Sequence, residues 1–354
     1  MSCVQPMVSV VIPVHAVSQE MLERAVSSIA LQDYAHLEIV LVDDNDDAGD
    51  ATCQTVVNKY AQAKMIRTGG LGASVARNAG LEAAGGDYVM FCDADDEYML
   101  GAIAQAVELA EATHLDAVFG TVCNVYGSGR YWIRVSQEIG HDELVVLKGD
   151  ELDLLRAHLA SRTDLRFHKE LNFVPVGPYA KIFRRECLKG LTFNTRLSVG
   201  EDAQFCAEFC RRASRVGIVN SVWYLYYQYE TSLMHRDLLG EALLDQLRIT
   251  KSSAMDAVGL TAFNAYASGM LSIYTREAIR KQHHRSLPSY LHTIRDSIVR
   301  DALVELDEEQ FAVSRKMKMR NWLLLHNMPV LAWAIQVGIE TLTPRREKDV
   351  ISVK

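Results

Sequence analysis

The N-terminal part of the chain alternates short apolar runs with segments whose apolar residues recur at helical spacing. Residues 8–14 form a β-branched run, and apolar side chains lie three or four positions apart along residues 18–32. A strand pattern over 37–43 and a helix pattern over 50–61 repeat this succession, and a third short strand is predicted at 64–67. The succession predicts a βαβαβ unit built on a mostly parallel sheet.

Two acidic clusters follow predicted strands in this region. A nearly continuous apolar strand at 87–92 ends in Asp93-Ala94-Asp95-Asp96, and Asp43 and Asp44 end the strand at 37–43. A glycine-rich turn, Gly69-Gly70-Leu71-Gly72, lies between the two strands. Because ligands of parallel α/β sheets bind at the carboxyl ends of the strands, we expect both clusters at one binding edge.

The second half of the chain has a different pattern. From about residue 126 the periodicity is irregular, and from about residue 236 successive helices are predicted, at 236–258, 261–281, 287–304 and 308–325. We therefore divide the chain into regions 1–125, 126–235 and 236–354, the last being a C-terminal α-helical appendage. The apolar stretch 322–339 contains polar residues and a proline, so a membrane span is not predicted.

Composition and charge argue against a nucleic-acid-binding protein and indicate the redox state of the cysteines. The chain has 354 residues, 49% of them hydrophobic, and carries 37 basic against 45 acidic side chains, a formal charge of −8. Binding along nucleic-acid phosphates requires a positive field, so no nucleic-acid partner is expected. Seven cysteines without a C-x-x-C pair, and no charged and apolar leader at the N-terminus, predict reduced thiols in the cytoplasm.

Common nucleotide-binding motifs are missing from their expected positions. A dinucleotide fold requires G-x-G-x-x-G after the first strand, where this chain has Pro13-Val14-His15, and no P-loop motif occurs. Asp93 and Asp95 instead place two carboxylates after a buried strand, where repulsion and desolvation favour a divalent cation. Such oxygen ligands suit Mg²⁺ or Mn²⁺ shared with a diphosphate. Taken alone, the triplet is more typical of a solvated acidic turn that caps the following helix.

Several motifs in a fixed order resemble the inverting family-two glycosyltransferases of the A-type fold, which act in bacterial surface-polysaccharide synthesis. The resemblance covers roughly residues 7 to 236. The matching blocks are Val8–Val14, Glu38–Asp44, Gly72–Gly80, Asp87–Asp96, Gly177–Arg184 and Gly200–Asp202. It implies a Rossmann-like, mostly parallel central sheet flanked by helices, in which region 1–125 binds the nucleotide-sugar and region 126–235 binds the acceptor.

The resemblance implies a role for each block at a UDP-sugar site. The first strand and its turn would flank the donor base, an aspartate of the second block would contact uracil, and the arginine of the third block would support the nucleotide. In the fourth block, the first carboxylate would lie near the ribose and the sugar. The residues expected to bind the donor are Pro13, Val14, Asp43, Asp44, Gly72, Arg77, Asp93 and Ala94.

The resemblance also implies a metal ligand set and a catalytic base. Asp95 would be the direct ligand of Mn²⁺ or Mg²⁺, assisted by Asp93 and by a late histidine, His235. A surface or core position is the alternative for His235. Asp202, with Glu201 beside it, would accept the acceptor's proton, although the pair taken alone is more typical of N-terminal helix capping.

We therefore expect a metal-dependent, inverting transfer of a hexosyl or N-acetylhexosaminyl group from a UDP-sugar to a glycan or lipid-linked glycan. A catalytically silent nucleotide-sugar or glycan-binding module and a nucleotidyltransferase are the alternatives. Departures from the family pattern at Ala16, Asn45, Asp46 and Tyr179 bear on donor and acceptor preference.

The C-terminal segment 315–339 combines basic and apolar residues and suggests where the protein works. Its basic run would be attracted to anionic headgroups, with Trp322 and Trp333 in the interfacial layer. This interpretation predicts a cytoplasmic protein held peripherally at the inner face of the cell membrane. Burial of the same apolar face against the catalytic domain or another protomer is the alternative.

Overall fold

The computed structural model of the chain describes residues 5–47, 51–127, 131–228, 239–282 and 286–342. These residues form one ten-stranded sheet with helices on both faces, followed by a group of C-terminal helices. The predicted α/β class with a helical appendage is confirmed. The division into regions 1–125, 126–235 and 236–354 stays a prediction.

Four N-terminal strands pair in parallel, in the order β3-β2-β1-β4. Their bounds are β1 Val8–Val14, β2 Leu37–Asp43, β3 Ala63–Arg67 and β4 Tyr88–Phe91. The intervening helices are α1 Gln19–Ala30, α2 Thr52–Val57 and α3 Ala73–Ala83. Val14 is in register with Asp43, so the ends of β1 and β2 meet at the edge predicted for ligand binding.

The remaining strands make the sheet mixed. They are β5 Glu97–Tyr98, β6 Ala117–Tyr126, β7 Tyr131–Ile133, β8 Leu144–Leu147, β9 Lys181–Arg184 and β10 Val216–Gln228. The helices between them are α4 Ala102–Ala112, α5 Asp150–Ser161 and α6 Glu201–Arg212, with short 3₁₀ turns at Lys169–Leu171 and Arg185–Leu188. β9 lies antiparallel between β4 and β6, and the order continues through β10 to β5. This insertion brings late elements of the chain beside β4.

Burial on both faces explains the continuous apolar character of the strands. Val10 and Ile12 of β1 belong to a core that includes side chains of α1 and α4, whereas Val11 belongs to the core on the other face. That second core contains a cluster of aromatic rings, in which Phe91 contacts Phe183 and Phe205 edge to face. β4 is therefore rigidly packed immediately before the acidic cluster.

The C-terminal helices are α7 Glu241–Ser253, α8 Ala257–Gln282, α9 Leu287–Arg295, α10 Ser297–Val304, α11 Arg315–Leu325 and α12 Pro329–Leu342. The single helix predicted over 287–304 is divided at Asp296, whose side chain accepts a hydrogen bond from the Ile298 backbone at 2.9 Å and starts a new helix. Arg156 of α5 binds Asp256, just before α8, through two hydrogen bonds of 2.7 and 2.8 Å. This pair joins the C-terminal helices to α5.

Helices α11 and α12 show which residues of segment 315–339 are exposed. Within the described ranges, no helix is long and apolar enough to cross a membrane. Trp322 is 53% exposed, but Trp333 is 5% exposed and its ring lies 4.9 Å from that of Tyr290. The expectation that both tryptophans enter an interface is wrong for Trp333, because its apolar surface is buried among the C-terminal helices.

Candidate active site

Asp44 holds the glycine-rich turn in place. Its carboxylate accepts hydrogen bonds from the Thr68 hydroxyl at 2.7 Å and from the backbone N–H groups of Leu71 and Gly72 at 2.8 Å. Gly72 has φ +96°, a left-handed conformation that side chains disfavour. Asp44 is 2% exposed, so its carboxylate acts by fixing the position of this turn.

Asp43 is also occupied by protein donors. Its two oxygens accept hydrogen bonds from Arg67 Nη1 at 2.9 Å and from the Asn45 side-chain amide at 2.8 Å. The backbone N–H of Asp44 donates to the Val14 carbonyl at 2.8 Å, which fixes the end of β2 against the end of β1. Pro13, Val14, Asp43 and Asp44 therefore lie together, and their contact with a base stays a prediction.

Arg77 connects the two sides of the site. From α3, its Nη2 lies 2.9 Å from Asp93 Oδ1 and its Nη1 lies 3.1 Å from Glu201 Oε1. The residue is 7% exposed, so these ion pairs are shielded from water. One guanidinium thus brings the end of β4 and the start of α6 together, although Asp93 and Glu201 are far apart in sequence.

The three aspartates after β4 have different environments. Asp96 is 1% exposed and accepts hydrogen bonds from the Tyr224 hydroxyl at 3.0 Å and the Tyr227 backbone at 2.8 Å. Burial and the charge of Asp93 raise the pKa of Asp96 well above its usual range. Burial, together with the charge of Asp93, raises the pKa of Asp95 to about 6. Asp96 therefore supports the turn, whereas Asp93 pairs with Arg77 and Asp95 is a carboxylate disfavoured by its surroundings.

Asp93 and Asp95 fit a divalent cation in their chemistry. The raised pKa of Asp95 reflects a carboxylate that is disfavoured beside Asp93 without added positive charge. In the described ranges, no group of three or more histidine, cysteine, aspartate or glutamate side chains is arranged to hold a metal. Mg²⁺ and Mn²⁺ sites often use one or two carboxylates and take further oxygens from a diphosphate. His235, predicted as a third ligand, lies outside the described residues.

The acidic pair starts α6, as predicted. Gly200 precedes it with φ +88°, and Asp202 Oδ1 accepts a hydrogen bond from the Ala203 backbone at 2.7 Å. Burial and the charge of Asp202 raise the pKa of Glu201, while Arg77 opposes that shift. Glu201 is thus engaged with Arg77, whereas one Asp202 oxygen contacts the helix N-terminus.

The sequence analysis did not predict that Arg162 belongs to the site. Burial by itself would lower the pKa of Arg162, but the charge of Asp202 raises it above its usual value. This effect places a positive charge near the proposed base. Arg162 lies after α5 with φ +53°, a conformation that no sequence motif indicated.

Three stacked tyrosine rings lie beside the acids after β4, where the Tyr224 hydroxyl accepts a hydrogen bond from the Asp93 backbone at 2.9 Å. The Tyr179 ring stacks on Tyr224 with centroids 5.0 Å apart and on Tyr226 with centroids 5.4 Å apart. The loop before β9 is held by Lys181, whose Nζ donates to the carbonyls of Pro175 and Gly177 at 2.6 Å. Lys181 is 0% exposed, and burial lowers its pKa to about 8. The sequence analysis did not identify Lys181, although a lysine inside an apolar strand is a signal that could have indicated this anchor.

Comparison with known proteins gives the family. A sequence model described as Glycosyl transferase family 2 matches residues 9–191, just over half of the 354-residue chain. The chain is 26% identical over 231 residues to the uncharacterized glycosyltransferase EpsJ of Bacillus subtilis, covering 64% of this chain. The match spans 63% of EpsJ, less than two thirds of its length.

Two further comparisons extend the similarity. Over 123 residues the chain is 35% identical to the GalNAc(5)-diNAcBac-PP-undecaprenol beta-1,3-glucosyltransferase of Campylobacter jejuni, covering 32% of this chain and 38% of that protein. The crystal structure of S. aureus TarS 1-349 in complex with UDP-GlcNAc matches with a TM-score of 0.66 and 19% identity. That match covers 95% of this chain and 91% of the TarS chain, which shows the same fold. From the family match, the chain belongs to glycosyl transferase family 2 and has its A-type fold.

Proposed function

We propose that this chain transfers a sugar from a UDP-sugar to a hydroxyl group of a glycan or lipid-linked glycan, with inversion at the anomeric carbon. The observation that supports this most directly is the Arg77 bridge between Asp93 and Glu201, with distances of 2.9 and 3.1 Å. Because one guanidinium contacts both carboxylates, the residues proposed for the donor and for the base border the same space.

The donor binds where the ends of β1, β2 and β4 meet. The turn that Asp44 fixes, together with Pro13 and Val14, receives the base, and Arg77 supports the nucleotide. TarS, whose structures hold UDP-GlcNAc and UDP, has the same fold, which supports a UDP-sugar here. Asp93 and the adjacent Ala94, which is 4% exposed, lie toward the ribose and the sugar.

Asp93 and Asp95 would hold a Mn²⁺ or Mg²⁺ ion together with the diphosphate of the donor. When bound, the ion supplies Lewis-acid stabilisation of the negative charge that develops on the departing UDP. The protein's own part is to keep two carboxylates close together at the end of a rigid strand. Two carboxylates placed directly after buried strand β4, whose burial and repulsion raise the pKa of Asp95, support a cation at this position.

Asp202 acts as the general base. As the acceptor oxygen attacks the anomeric carbon, its proton passes to the Asp202 carboxylate, and the bond between the sugar and UDP breaks with its electron pair on the diphosphate. Attack from the face opposite to UDP inverts the anomeric centre. Glu201 is bound to Arg77, which leaves Asp202 as the acid available to the acceptor.

The C-terminal helices hold the protein at an anionic membrane surface on the cytoplasmic side. Met319, Trp322 and Leu325 are exposed along α11, and Val330 and Leu331 are exposed at the start of α12. Exposed basic residues, Arg315 and Lys316, stand at its N-terminal end. Apolar insertion flanked by cationic side chains suits anionic headgroups.

The membrane proposal is tested with Trp322→Glu in the full chain. Sedimentation with anionic vesicles should fall, because the change puts a negative charge at the exposed surface. Leu31→Glu is a matched control, since Leu31 is 72% exposed at the end of α1. Equal sedimentation of both variants and the wild type contradicts the membrane surface.

The catalytic proposal is tested by incubating the protein with individual UDP-sugars and Mn²⁺. Sugar transfer or slow release of UDP supports a glycosyltransferase, and an anomeric configuration opposite to that of the donor supports inversion. Binding of UDP-sugars without turnover would indicate a silent binding module. Pyrophosphate production from UTP would indicate a nucleotidyltransferase instead.

A further inference from the structure

Helix α1 presents polar side chains to the segment that follows β4 and bears the acids. Arg24 Nη2 donates to the Asp95 backbone carbonyl at 2.5 Å. Four positions further along α1, the Ser28 hydroxyl accepts a hydrogen bond from the Tyr98 backbone N–H at 3.1 Å. Residues four positions apart in a helix lie on one face, so both contacts are made by the same side of α1. The segment is therefore bound to α1 from Asp95 onward.

Arg24 makes two further contacts at the same place. Its Nε lies 3.1 Å from Glu97 Oε1, and its guanidinium lies over the Tyr227 ring, 4.0 Å from the centroid. The Tyr227 hydroxyl donates to Glu97 Oε1 at 2.6 Å, so Arg24 and Tyr227 share one carboxylate. The guanidinium is thus held in one orientation by a carbonyl, a carboxylate and an aromatic ring, which suits its planar shape.

Strand β10 holds the acids on either side of Asp95 in the sequence. The Asp93 backbone N–H donates to the Tyr224 hydroxyl, and the Tyr227 backbone N–H donates to Asp96 Oδ1 at 2.8 Å. Arg24 holds the backbone of Asp95 between them. The turn that bears the proposed metal ligands is therefore bound by two elements, with Arg24 acting on the residue proposed as the direct ligand.

The contact of Arg24 differs from that of Arg77. Arg77 binds the carboxylate of Asp93, whereas Arg24 binds the backbone carbonyl of Asp95 and does not occupy its carboxylate oxygens through that bond. A positive side chain beside a cation site also needs a compensating charge. Glu97 supplies it, since the side chains of Arg24 and Glu97 are 30% and 23% exposed and the pair is partly shielded from water.

We infer that Arg24 is a positioning residue for Asp95: it fixes the Asp95 backbone through its carbonyl and so directs the carboxylate toward the cation. The inference rests on the proposed function, in which Asp95 holds Mn²⁺ or Mg²⁺ together with the diphosphate of UDP. Mg²⁺ demands near-ideal octahedral geometry, so a small rotation of one ligand weakens its binding. Removal of a group that orients a metal ligand commonly costs about 10- to 100-fold in metal affinity.

The experiment measures the UDP affinity of the full chain by calorimetry at a series of Mn²⁺ concentrations. Arg24→Met keeps an unbranched side chain but removes the guanidinium. In this variant the Mn²⁺ concentration that gives half of the maximal gain in UDP affinity should rise about tenfold. UDP affinity without Mn²⁺ should not change, because the effect of Arg24 passes through the metal ligand. Urea denaturation of the same samples measures whether the variant is folded.

Arg24→Lys separates position from charge and is the milder change. The lysine keeps the positive charge that pairs with Glu97, but a single ammonium group lacks the planar fork that reaches the carboxylate and the Asp95 carbonyl together. The half-maximal Mn²⁺ concentration should therefore still rise, by about three- to tenfold.

Arg184→Met is the matched control, because Arg184 has the same three kinds of partner at the other end of β4. Its Nη2 lies 3.1 Å from Glu111 Oε1, its Nε donates to the Leu115 carbonyl at 3.3 Å, and its guanidinium lies 4.9 Å from the Tyr88 ring centroid. Tyr88 begins β4, whereas the acids follow the end of that strand. The control should lose a similar amount of stability and keep the wild-type response to Mn²⁺.

Two results would overturn the inference while the proposed function stands. One is a wild-type response to Mn²⁺ in either Arg24 variant, and the other is a loss of UDP affinity in Arg24→Met that is already present without Mn²⁺. The wild type itself tests the proposed function. If Mn²⁺ does not strengthen UDP binding in the wild type, the proposed metal site is wrong and the inference falls with it.

Discussion

The proposed donor side and the proposed acceptor side of the site are built in different ways. On the proposed donor side, the two carboxylates at the end of β2 are bound by groups of the same βαβ unit: Asp43 by Arg67 and Asp44 by the turn that ends at Gly72. On the acceptor side, Tyr179 stacks on residues of β10, far along the chain. The donor side depends on local strand-end motifs, whereas the acceptor side depends on the assembled sheet.

Because the two sides are built differently, substitutions on them should impair different properties of the protein. A change on the donor side should weaken nucleotide binding and leave the fold intact, because the strands are held by their apolar cores. A change on the acceptor side should affect turnover or stability and leave nucleotide binding intact. The following substitutions test that separation.

Asp202→Asn should have the largest effect. The amide is nearly isosteric but cannot accept the acceptor's proton, so kcat should fall about 10²- to 10⁴-fold. UDP affinity, measured by calorimetry, should not change. Asp245→Asn, at a largely exposed position on α7, is the control. Turnover near that of the wild type would eliminate Asp202 as the base.

Asp95→Ala should remove the metal-dependent part of UDP binding. We expect a loss of about 2–3 kcal/mol, roughly 30- to 150-fold in affinity, because Asp93 alone cannot hold the ion and the diphosphate in register. Titration of UDP with and without Mn²⁺ measures this. If Mn²⁺ strengthened UDP binding in the variant as much as in the wild type, the proposed role of Asp95 in metal-dependent UDP binding would be contradicted.

Lys181→Met should affect stability more than donor binding. The change leaves the carbonyls of Pro175 and Gly177 without their buried donor, which should lower the free energy of unfolding by about 2–3 kcal/mol. Urea denaturation measures it, and the KM for the acceptor should rise because the loop bearing Tyr179 loses its anchor. A stable variant with an unchanged KM would show that the anchor is dispensable.

The pH dependence of stability gives a second readout for Lys181. Its pKa is about 8 in the folded protein, against about 10.4 for an unfolded chain. Between these pH values the unfolded chain binds more protons, so the stability of the wild type relative to Lys181→Met should rise with pH. A flat or falling difference across this window would contradict the lowered pKa.

Asp44→Asn should have the smallest effect. The amide oxygen can still accept a hydrogen bond, but its NH₂ group faces backbone donors, so the turn should loosen and UDP affinity should fall about three- to tenfold. The metal requirement should not change. Asp33→Asn, at an exposed position after α1, should match the wild type. A changed response to Mn²⁺ would show that Asp44 acts on the metal as well.

The sequence predicted the donor side better than the acceptor side for a physical reason. The strand predicted over 37–43 matches β2, and the acids at its end lie at the predicted edge, because apolar runs and strand ends are local features. The insertion of β9 beside β4 was not predicted, since a period-two pattern does not specify the neighbouring strand. Arg162 and Lys181 reach the site only through such long-range packing.

The C-terminal helices also show that local sequence patterns do not specify side-chain contacts. A helix was predicted without interruption over 287–304, but the capping interaction of Asp296 divides it into α9 and α10. Trp333 was predicted at an interface and is instead packed on Tyr290. In both cases the helical periodicity was correct. The helix boundary and the burial of the tryptophan depended instead on a side-chain contact that periodicity does not encode.

The position of β9 also has a consequence for how the chain folds. One edge of β4 is paired by β9, and Tyr88 meets Arg184 in that ladder. During synthesis the N-terminal strands emerge well before β9, so this edge stays open until most of the sheet has been made. An open, apolar edge strand invites pairing with other chains. Fragments that end before Lys181 should therefore aggregate, whereas chains that include β9 close the sheet.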